Sequence, residues 1–335
     1  MPALEVVIAP DSFKGTLGAA AVADALARGW RRVRPGDAVR RLPQADGGEG
    51  TLEVIESVVP GSVRRPAGEV TGPDGRAVAG SWLELPDGTA VVEMASVSGL
   101  PMLARPDPLG ATSRGLGEVI AAALDAGARR LVIGIGGSAS TDGGVPVLDA
   151  LGTRRPPAAG AIVLTDVTAP LLGPTGGAAT YAPQKGASPE QVTLLEERLR
   201  QVAKRLGGDP ARPGAGAAGG AGFALAHWGA QLVPGSAYLA ELTGLAEAAA
   251  RTDVVLTGEG RFDATSLAGK VVGTVLRLAA GGARTGIVAG QLAAEPVGAW
   301  AISLAELAGS VDGAMRDPAR WLMAAGQRAA RELGP

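Results

Sequence analysis

The chain is organised around LVIGIGGSASTDGG, residues 131–144, which joins a predicted buried strand directly to a glycine-rich polar loop. Leu131 to Ile135 is short, apolar and rich in branched side chains, which is typical of a buried parallel strand. Gly136 and Gly137 then leave the backbone open to a ligand, because glycine has no Cβ atom. Open α/β folds bind ligands where such strands end, so we expect this loop to line a binding site.

Two other stretches repeat this design. VVIAPDSFKG, residues 6–15, and VVLTGEGRFD, residues 254–263, also pass from branched apolar residues into glycines and acids. We expect the three strand-to-loop transitions to form the walls of one polar cleft. A further loop, ADGGEGT at residues 45–51, holds two acids among three glycines. It suits a hydrated Mg²⁺ ion or a general base, and equally a tight turn with solvated acids.

Composition and charge exclude several classes of protein. A chain of 335 residues is long enough for two domains. Its net charge of −2 gives no electrostatic reason to expect nucleic acid or an anionic membrane as a partner. Without cysteine, disulfides, thiolate metal sites and cysteine nucleophiles are excluded. The chain starts without a basic leader and has no apolar run near the ~18 residues of a spanning helix, so we expect a cytoplasmic protein.

The few lysines and the single histidine narrow the chemistry further. Only four of the 31 Lys and Arg residues are lysines, and three of these, Lys14, Lys185 and Lys270, stand beside a glycine. A compact ammonium group in such a loop suits phosphate binding, although a solvated loop cation has the same appearance in sequence. The only histidine, His227, lies in a helical pattern typical of a packed or surface side chain. With one histidine and no cysteine, we expect neither a histidine-dependent hydrolase nor a zinc site.

The chain changes character at Val63. Alternating residues with PDG turns at 73–75 and 86–88 predict antiparallel hairpins, and we expect an inserted domain to begin there. Further on, GIGGSA at Gly134–Ala139 fits a dinucleotide fingerprint, but STDGG follows where a helix should open. Glycine-rich loops, loop lysines and clustered acids are together what phosphoryl transfer to a small hydroxyl compound needs. An NAD(P)-dependent oxidoreductase that uses Gly134–Ala139 remains the alternative enzyme.

Seven motifs occur in order: APDSFKGTL (9–17), ADGGEGT (45–51), EMASVSGL (93–100), GIGGSASTDGG (134–144), APQKGA (182–187), GAGAAGG (214–220) and TGEGRFDATSLAGK (257–270). Together they resemble the bacterial glycerate kinase family, of the type that acts in glyoxylate and sugar-acid utilisation. The resemblance implies phosphorylation of D-glycerate by ATP and Mg²⁺ in a cleft between two domains, with 2-phosphoglycerate favoured over 3-phosphoglycerate. It also implies a monomer or homodimer. A non-catalytic sugar-acid sensor on the same fold is a further alternative.

The same resemblance implies a two-domain α/β fold. A Rossmann-like parallel-sheet domain would be built from both chain ends, residues 1–63 and 250–335, and residues 64–249 would form an inserted mixed α/β domain with antiparallel hairpins. The chain departs from the family where a short Pro-rich connector replaces a longer segment before Ala161, and at Thr141 and Ala169. We expect these departures to affect substrate affinity rather than activity.

Site residues follow from the loop positions and the resemblance. We expect Lys14 and Lys270 to contact the transferred phosphate or the substrate carboxylate. Either Asp46 or Asp263 would be the general base, and the other would help to bind Mg²⁺. Expected substrate- and phosphate-binding residues are Asp11, Ser12, Arg261, Gly47, Gly48, Ser138, Gly136, Gly137 and Lys185. Expected metal ligands are Glu259, Asp142 and Glu49.

Overall fold

The computed structural model describes residues 2–267, 269–296 and 298–334. The strands are β1 (Glu5–Ile8), β2 (Ala38–Arg41), β3 (Val63–Thr71), β4 (Ala77–Glu84), β5 (Thr89–Glu93), β6 (Arg130–Gly134), β7 (Ala161–Leu164), β8 (Gln231–Val233), β9 (Val254–Phe262), β10 (Arg284–Leu292) and β11 (Trp300–Ser303). The helices are α1 (Ala19–Val33), α2 (Thr51–Val58), α3 (Ala95–Ser98), α4 (Arg114–Asp125), α5 (Val145–Leu151), α6 (Gly177–Tyr181), α7 (Pro189–Leu206), α8 (Ala221–Trp228), α9 (Gly235–Leu242), α10 (Leu245–Ala249), α11 (Val271–Ala279), α12 (Leu304–Ala308), α13 (Val311–Arg316) and α14 (Pro318–Glu332). Short 3₁₀ helices lie at Leu100–Met102, Pro183–Lys185 and Ala217–Gly220. Within the described ranges, no helix has both the length and the apolar character that crossing a membrane requires.

The chain divides into two compact units. The first contains the residues up to Asp46, Glu53–Val58 and the residues from Ser236 onward, and the second contains Gly47–Leu52 and Val59–Gly235. Both chain ends therefore belong to one unit. The chain returns to this unit at Ser236, and Ala240 and Leu245 share an apolar cluster with Val271 of α11.

The first unit is a doubly wound parallel sheet. Its strand order is β11-β10-β9-β1-β2, and every neighbouring pair is parallel. Alternate residues of β1 enter different apolar clusters: Val6 packs in the cluster that contains α1 and α14 residues, and Val7 in the cluster of α10 and α11. Counted within the unit, this is the 2-1-3-4-5 order rather than the 3-2-1-4-5-6 order of dinucleotide-binding folds, and its switch point lies between β1 and β9.

The second unit is a mixed sheet in the order β3-β4-β5-β6-β7-β8. β3 and β4, and β4 and β5, are antiparallel, whereas the remaining neighbours are parallel. Gly72 N–H donates to Arg76 O at 2.7 Å and Leu85 N–H donates to Thr89 O at 2.8 Å, which closes a turn over each PDG sequence. The two predicted hairpins are confirmed.

β9 continues beyond its apolar run into residues that the sequence indicated as a loop. β9 and β10 pair from Arg284↔Val254 as far as Leu292↔Phe262, so Glu259 and Arg261 lie on a strand rather than in a loop. A Cβ atom on Gly258 would stand 2.0 Å from Val288 O, which shows how closely the strands approach there. The strands therefore continue beyond the glycines that usually indicate the end of a strand in sequence. The charged residues belong to the strand for this reason.

Candidate active site

A cavity of about 450 Å³ lies in the first unit at the carboxyl edge of its sheet. It is lined by Asp11, Ser12, Phe13, Lys14, Thr16, Asp46, Glu259, Gly260, Arg261, Asp263, Lys270, Gly290, Gln291, Leu304, Val311, Ala314, Met315 and Pro318. Eight of the charged and polar residues expected from the sequence meet here, from the ends of β1, β2 and β9. Of the three strand-to-loop transitions, those after β1 and β9 are neighbours, whereas the one after β6 belongs to the sheet of the second unit.

The loop after β1 is held against β9 by backbone hydrogen bonds. Ala9 N–H donates to Leu256 O at 2.7 Å, and Asp11 N–H donates to Gly258 O at 2.8 Å. The chain then turns at Phe13, whose side chain is buried. This arrangement keeps Asp11 and Ser12 beside β9, at the switch point where doubly wound sheets bind ligands.

Asp11 is the most strongly perturbed acid of the cavity. Its pKa is raised from 3.8 to about 8, mainly by burial and also by the nearby Asp46 and Glu259 carboxylates, against the opposing effects of Lys14 and the Ser12 N–H group. The Ser12 N–H group donates to Asp11 Oδ1 at 2.6 Å. Sequence reasoning ranked Asp11 only as a binding residue, because its titration depends on Asp46 from a different loop.

Two polar atoms of the cavity are buried without a protein partner. Ser12 Oγ and Glu259 Oε1 make no hydrogen bond in the part of the chain that the structure describes. Burial raises the pKa of Glu259, while a hydrogen bond from Ser266 and the charge of Lys270 oppose this. Buried polar groups are normally satisfied, so these two atoms point to a ligand or an ion in the cavity.

Asp263 is positioned differently. Its Oδ1 atom accepts from the Thr265 N–H group at 2.8 Å and from Thr265 Oγ1 at 2.6 Å, and Lys270 Nζ donates to the same hydroxyl at 3.0 Å. These hydrogen bonds to Thr265, with Lys270 and Arg261 nearby, lower the pKa of Asp263. Asp263 is therefore an ionised, weakly basic carboxylate, which suits a cation better than a proton.

The raised pKa of Asp11 predicts a pH-dependent stability. Since the folded state holds a proton on Asp11 that the unfolded state releases above its ordinary pKa of 3.8, stability falls as pH rises through that range to about 8. Asp11→Asn keeps the oxygen that accepts from Ser12 but cannot ionise. We expect its melting temperature, relative to wild type, to rise by a few degrees, on the order of 2–4 °C, between about pH 5 and pH 9.

The matched control is Asp149→Asn, which removes an exposed carboxylate from α5. Its melting temperature should follow the wild-type curve at every pH. Parallel curves for wild type and Asp11→Asn, measured by differential scanning calorimetry, would contradict the assignment of a raised pKa to Asp11.

In the second unit, the glycines of two motifs pack against each other. Gly136 N–H donates to Gly47 O at 3.0 Å, and a Cβ atom on Gly136 would stand 2.6 Å from Gly48 Cα. A Cβ atom on Gly134 would stand 2.6 Å from Gly47 O. These glycines are needed for backbone contact between the loops, whatever they bind. The helix that a dinucleotide fingerprint should open begins only at Val145, which does not favour the oxidoreductase alternative.

Other residues that were expected to bind substrate or phosphate make their hydrogen bonds inside the second unit. Buried Lys185 donates to Ser138 Oγ at 2.9 Å and to Ser140 O at 2.6 Å, and burial lowers its pKa to about 8. These contacts favour a loop-holding role over phosphate binding, which stays a prediction for Lys185. Lys185 also ends a 3₁₀ helix that follows α6, where the sequence had suggested only a loop. Gly137 adopts a φ of +75°, and its carbonyl accepts from Leu100 N–H.

Two of the three expected metal ligands also belong to the second unit. Asp142 accepts from the N–H and hydroxyl groups of Ser113 and from Gly144 N–H, although burial raises its pKa. Glu49 is exposed. Sequence reasoning missed Glu93, whose buried carboxylate accepts from Leu52 N–H at 3.0 Å and ties the end of β5 to the start of α2. The position of Glu93 directly after the apolar residues of β5 is the feature of the sequence that could have identified it.

Among the described residues, no three His, Asp or Glu side chains are grouped so that they could hold an ion by themselves. Mg²⁺ is commonly held by one or two carboxylates and by substrate phosphates. His227 lies in α8, as its helical pattern predicted.

Acids, cations and unsatisfied polar atoms at the switch point of a parallel sheet define the chain as an α/β enzyme built to handle a charged small molecule. A sequence model of the glycerate kinase family matches residues 6–161 and 154–334. The chain belongs to the glycerate kinase family, and it is an ATP-dependent small-molecule kinase. The two matches overlap at residues 154–161, the short connector before Ala161.

Named relatives agree with this assignment. The chain is 40% identical to glycerate 2-kinase of Escherichia coli K12 over 306 residues, which cover 80% of each protein. It is 39% identical to glycerate kinase of Bacillus subtilis 168 over 305 residues, covering 80% of this chain and 79% of the relative. A crystal structure described as glycerate kinase 2 from Salmonella typhimurium LT2 superposes with a TM-score of 0.78 at 34% identity, over 99% of this chain and 98% of the other.

Proposed function

We propose that this kinase transfers the γ-phosphoryl group of ATP to D-glycerate with Mg²⁺, and that it forms 2-phosphoglycerate. The observation that carries the proposal is the gathering of Asp11, Lys14, Asp46 and Glu259 at one switch-point cavity. Phosphoryl transfer to a hydroxyl group needs cations for the phosphate charge, an acceptor for the hydroxyl proton and oxygen ligands for a metal. The name of the Escherichia coli relative, glycerate 2-kinase, supports the 2-position.

Three cations of the cavity would bind the anionic groups of the reactants. Lys14 and Lys270 are compact ammonium groups suited to phosphate oxygens, and Arg261 presents a planar fork suited to the glycerate carboxylate. Arg261 Nη1 already donates to Gln291 Oε1 at 3.4 Å, a long contact that leaves its other donors for a ligand. Neutralising the charge that builds up on the transferred group is the main electrostatic requirement of the reaction.

The Asp11–Asp46 pair is the proton acceptor of this proposal. The glycerate oxygen bonds to the γ-phosphorus, the bond from that phosphorus to the bridging oxygen breaks, and ADP leaves with the electron pair. The hydroxyl proton passes to the carboxylate pair. A raised pKa makes Asp11 a stronger base than an ordinary carboxylate, whereas the lowered pKa of Asp263 makes Asp263 a weaker one. Asp46 lies close enough to Asp11 to raise the pKa of Asp11, so the role is assigned to both carboxylates.

Glu259 and Asp263 are the residues that would hold Mg²⁺. Both line the cavity, Glu259 Oε1 is buried without a partner, and Asp263 is favoured in its ionised form. A bound Mg²⁺ ion would neutralise phosphate charge beside these carboxylates. Asp142 and Glu49 are not needed for this arrangement, and their metal-binding roles stay predictions.

A coupled ADP-release assay tests the proposal, with the product identified by phosphorus–proton NMR coupling. We expect ADP release that requires both D-glycerate and Mg²⁺, and a phosphate coupled to the single proton on carbon 2. Coupling to the two protons on carbon 3 would instead indicate 3-phosphoglycerate. D-glycerate binding without ADP release would contradict the proposal and indicate a sugar-acid sensor.

A further inference from the structure

The switch-point cavity has two chemically different ends. One end carries the charged residues of β9 and of the loops after β1 and β2. The other end is apolar and is formed by the helices that follow β11, with Leu304, Val311, Ala314, Met315 and Pro318 in its wall. The reaction proposed above uses only the charged end. The apolar end therefore needs its own explanation.

The apolar wall is partly uncovered. Leu304 and Ala314 are buried and form its base. Val311 and Met315 are 39% and 54% exposed, and they lie one turn apart on the same face of α13. Exposed apolar side chains that gather at a polar cavity are typical of a surface that a ligand covers.

D-glycerate cannot be the ligand that covers this wall. It is a three-carbon acid with two hydroxyl groups and a carboxylate, so it has almost no apolar surface. A cavity of about 450 Å³ is also far larger than this acid needs and falls within the range of ~300–1,000 Å³ found for larger organic ligands. ATP combines a flat, weakly polar base with a phosphate chain, which matches a cavity with an apolar end and a cationic end.

We infer that the nucleobase of ATP binds against Val311 and Met315 of α13, and that the phosphate chain runs along the sheet edge from β11 toward β1. This inference rests on the proposed function and specifies the orientation of ATP along the edge of the sheet. The lining follows the strand order: Leu304 comes after β11, Gln291 lies on β10, Arg261 lies on β9 and Lys14 comes after β1. Three strand spacings of ~4.8 Å separate β11 from β1, a span suited to an extended triphosphate.

The orientation also places the terminal phosphate where the chemistry is proposed. With the base at β11, the γ-phosphate comes to the Lys14 end, next to the Asp11–Asp46 pair. The reverse orientation would put the base among four carboxylates and three cations and leave the apolar wall exposed. Burying a base there without matching hydrogen bonds would cost free energy. The apolar wall and the carboxylate pair therefore specify the same direction.

The test replaces both exposed apolar side chains, Val311→Ser with Met315→Ser, and measures binding by isothermal titration calorimetry with Mg²⁺ present. Two probes are used, ATP and inorganic tripolyphosphate, which has the phosphate chain but no base. We expect the dissociation constant for ATP to rise about tenfold and that for tripolyphosphate to change by less than about twofold. In steady-state kinetics, KM for ATP should rise while KM for D-glycerate stays unchanged.

The matched control is Leu194→Ser on α7, where an apolar side chain that is 44% exposed lies outside the cavity. It should leave both dissociation constants unchanged. Equal weakening of ATP and tripolyphosphate, an unchanged ATP affinity, or a rise in KM for D-glycerate alone would overturn the inference. If wild type binds ATP but does not phosphorylate D-glycerate, the proposed function fails and the two-probe comparison still decides where the base binds. If wild type binds no ATP, both fail.

Discussion

Asp46→Asn is expected to lower kcat for D-glycerate phosphorylation by ~10²–10⁴-fold, the usual effect of losing a positioned general base. The substitution keeps the size of the side chain and removes its charge. It also removes one of the carboxylates that raise the pKa of Asp11. Asp11 should then release its proton at lower pH, so the acidic limb of the kcat/KM profile of the residual activity should move to lower pH.

Asp263→Asn is the informative comparison for this prediction, because Asp263 was the other base candidate in the sequence. Its carboxylate is held by Thr265 and has a lowered pKa, so its loss should mainly raise the Mg²⁺ concentration needed for half-maximal activity. The assignment would be contradicted if Asp46→Asn kept near-normal kcat while Asp263→Asn removed the pH dependence of the reaction.

Lys14→Ala is expected to lower kcat by ~10²–10³-fold, as the removal of one charge-stabilising group at a reacting centre commonly does. Lys14 lines the cavity in the loop after β1, and its charge also lowers the pKa of Asp11. Without this ammonium group, Asp11 should hold its proton to higher pH. The acidic limb of the pH profile should therefore move to higher pH, opposite to the shift expected for Asp46→Asn.

Lys204→Ala provides the matched control, since Lys204 is another of the four lysines and is exposed in the last turn of α7. It should have wild-type kcat and an unchanged pH profile. A Lys14→Ala enzyme with near-normal turnover would remove Lys14 from the site. If turnover fell strongly but the pH profile did not shift, the charge of Lys14 would not act on the pKa of Asp11. This result would contradict the proximity of Lys14 to Asp11.

Apolar periodicity predicted much of the fold. The predicted strand Leu131–Ile135 is β6, Arg130–Gly134, and agrees to within one residue because it is a continuous run of branched apolar residues that ends at glycines. The parallel sheet of the first unit was expected from the family resemblance, and the observed strand order agrees with that expectation. Most of the charged side chains at its switch point were identified from strands that end in glycines and acids, since the carboxyl ends of neighbouring parallel strands meet at one edge.

Other features depend on contacts that no local pattern contains. β11 has only four residues, of which two are half-buried, so its apolar signal is weak. Lys185 has the same glycine neighbour in sequence as Lys14, yet its ammonium group is buried against Ser138 and Ser140. The pKa of Asp11 depends on burial and on Asp46. The sequence identified these lysines and this aspartate as site candidates. It could not show which side chain has a shifted pKa and which one holds a loop in place.

We propose that phosphoryl transfer takes place at the β1–β9 switch point, between the Asp11–Asp46 pair and Lys14. A crystal structure with D-glycerate, Mg²⁺ and a non-hydrolysable ATP analogue tests this most directly. We predict that the γ-phosphate lies against Lys14 and that the carbon-2 hydroxyl of glycerate lies within hydrogen-bond distance of Asp11 or Asp46. A triphosphate bound instead on the Gly134–Gly144 loop, with the glycerate hydroxyl away from both carboxylates, would contradict the claim.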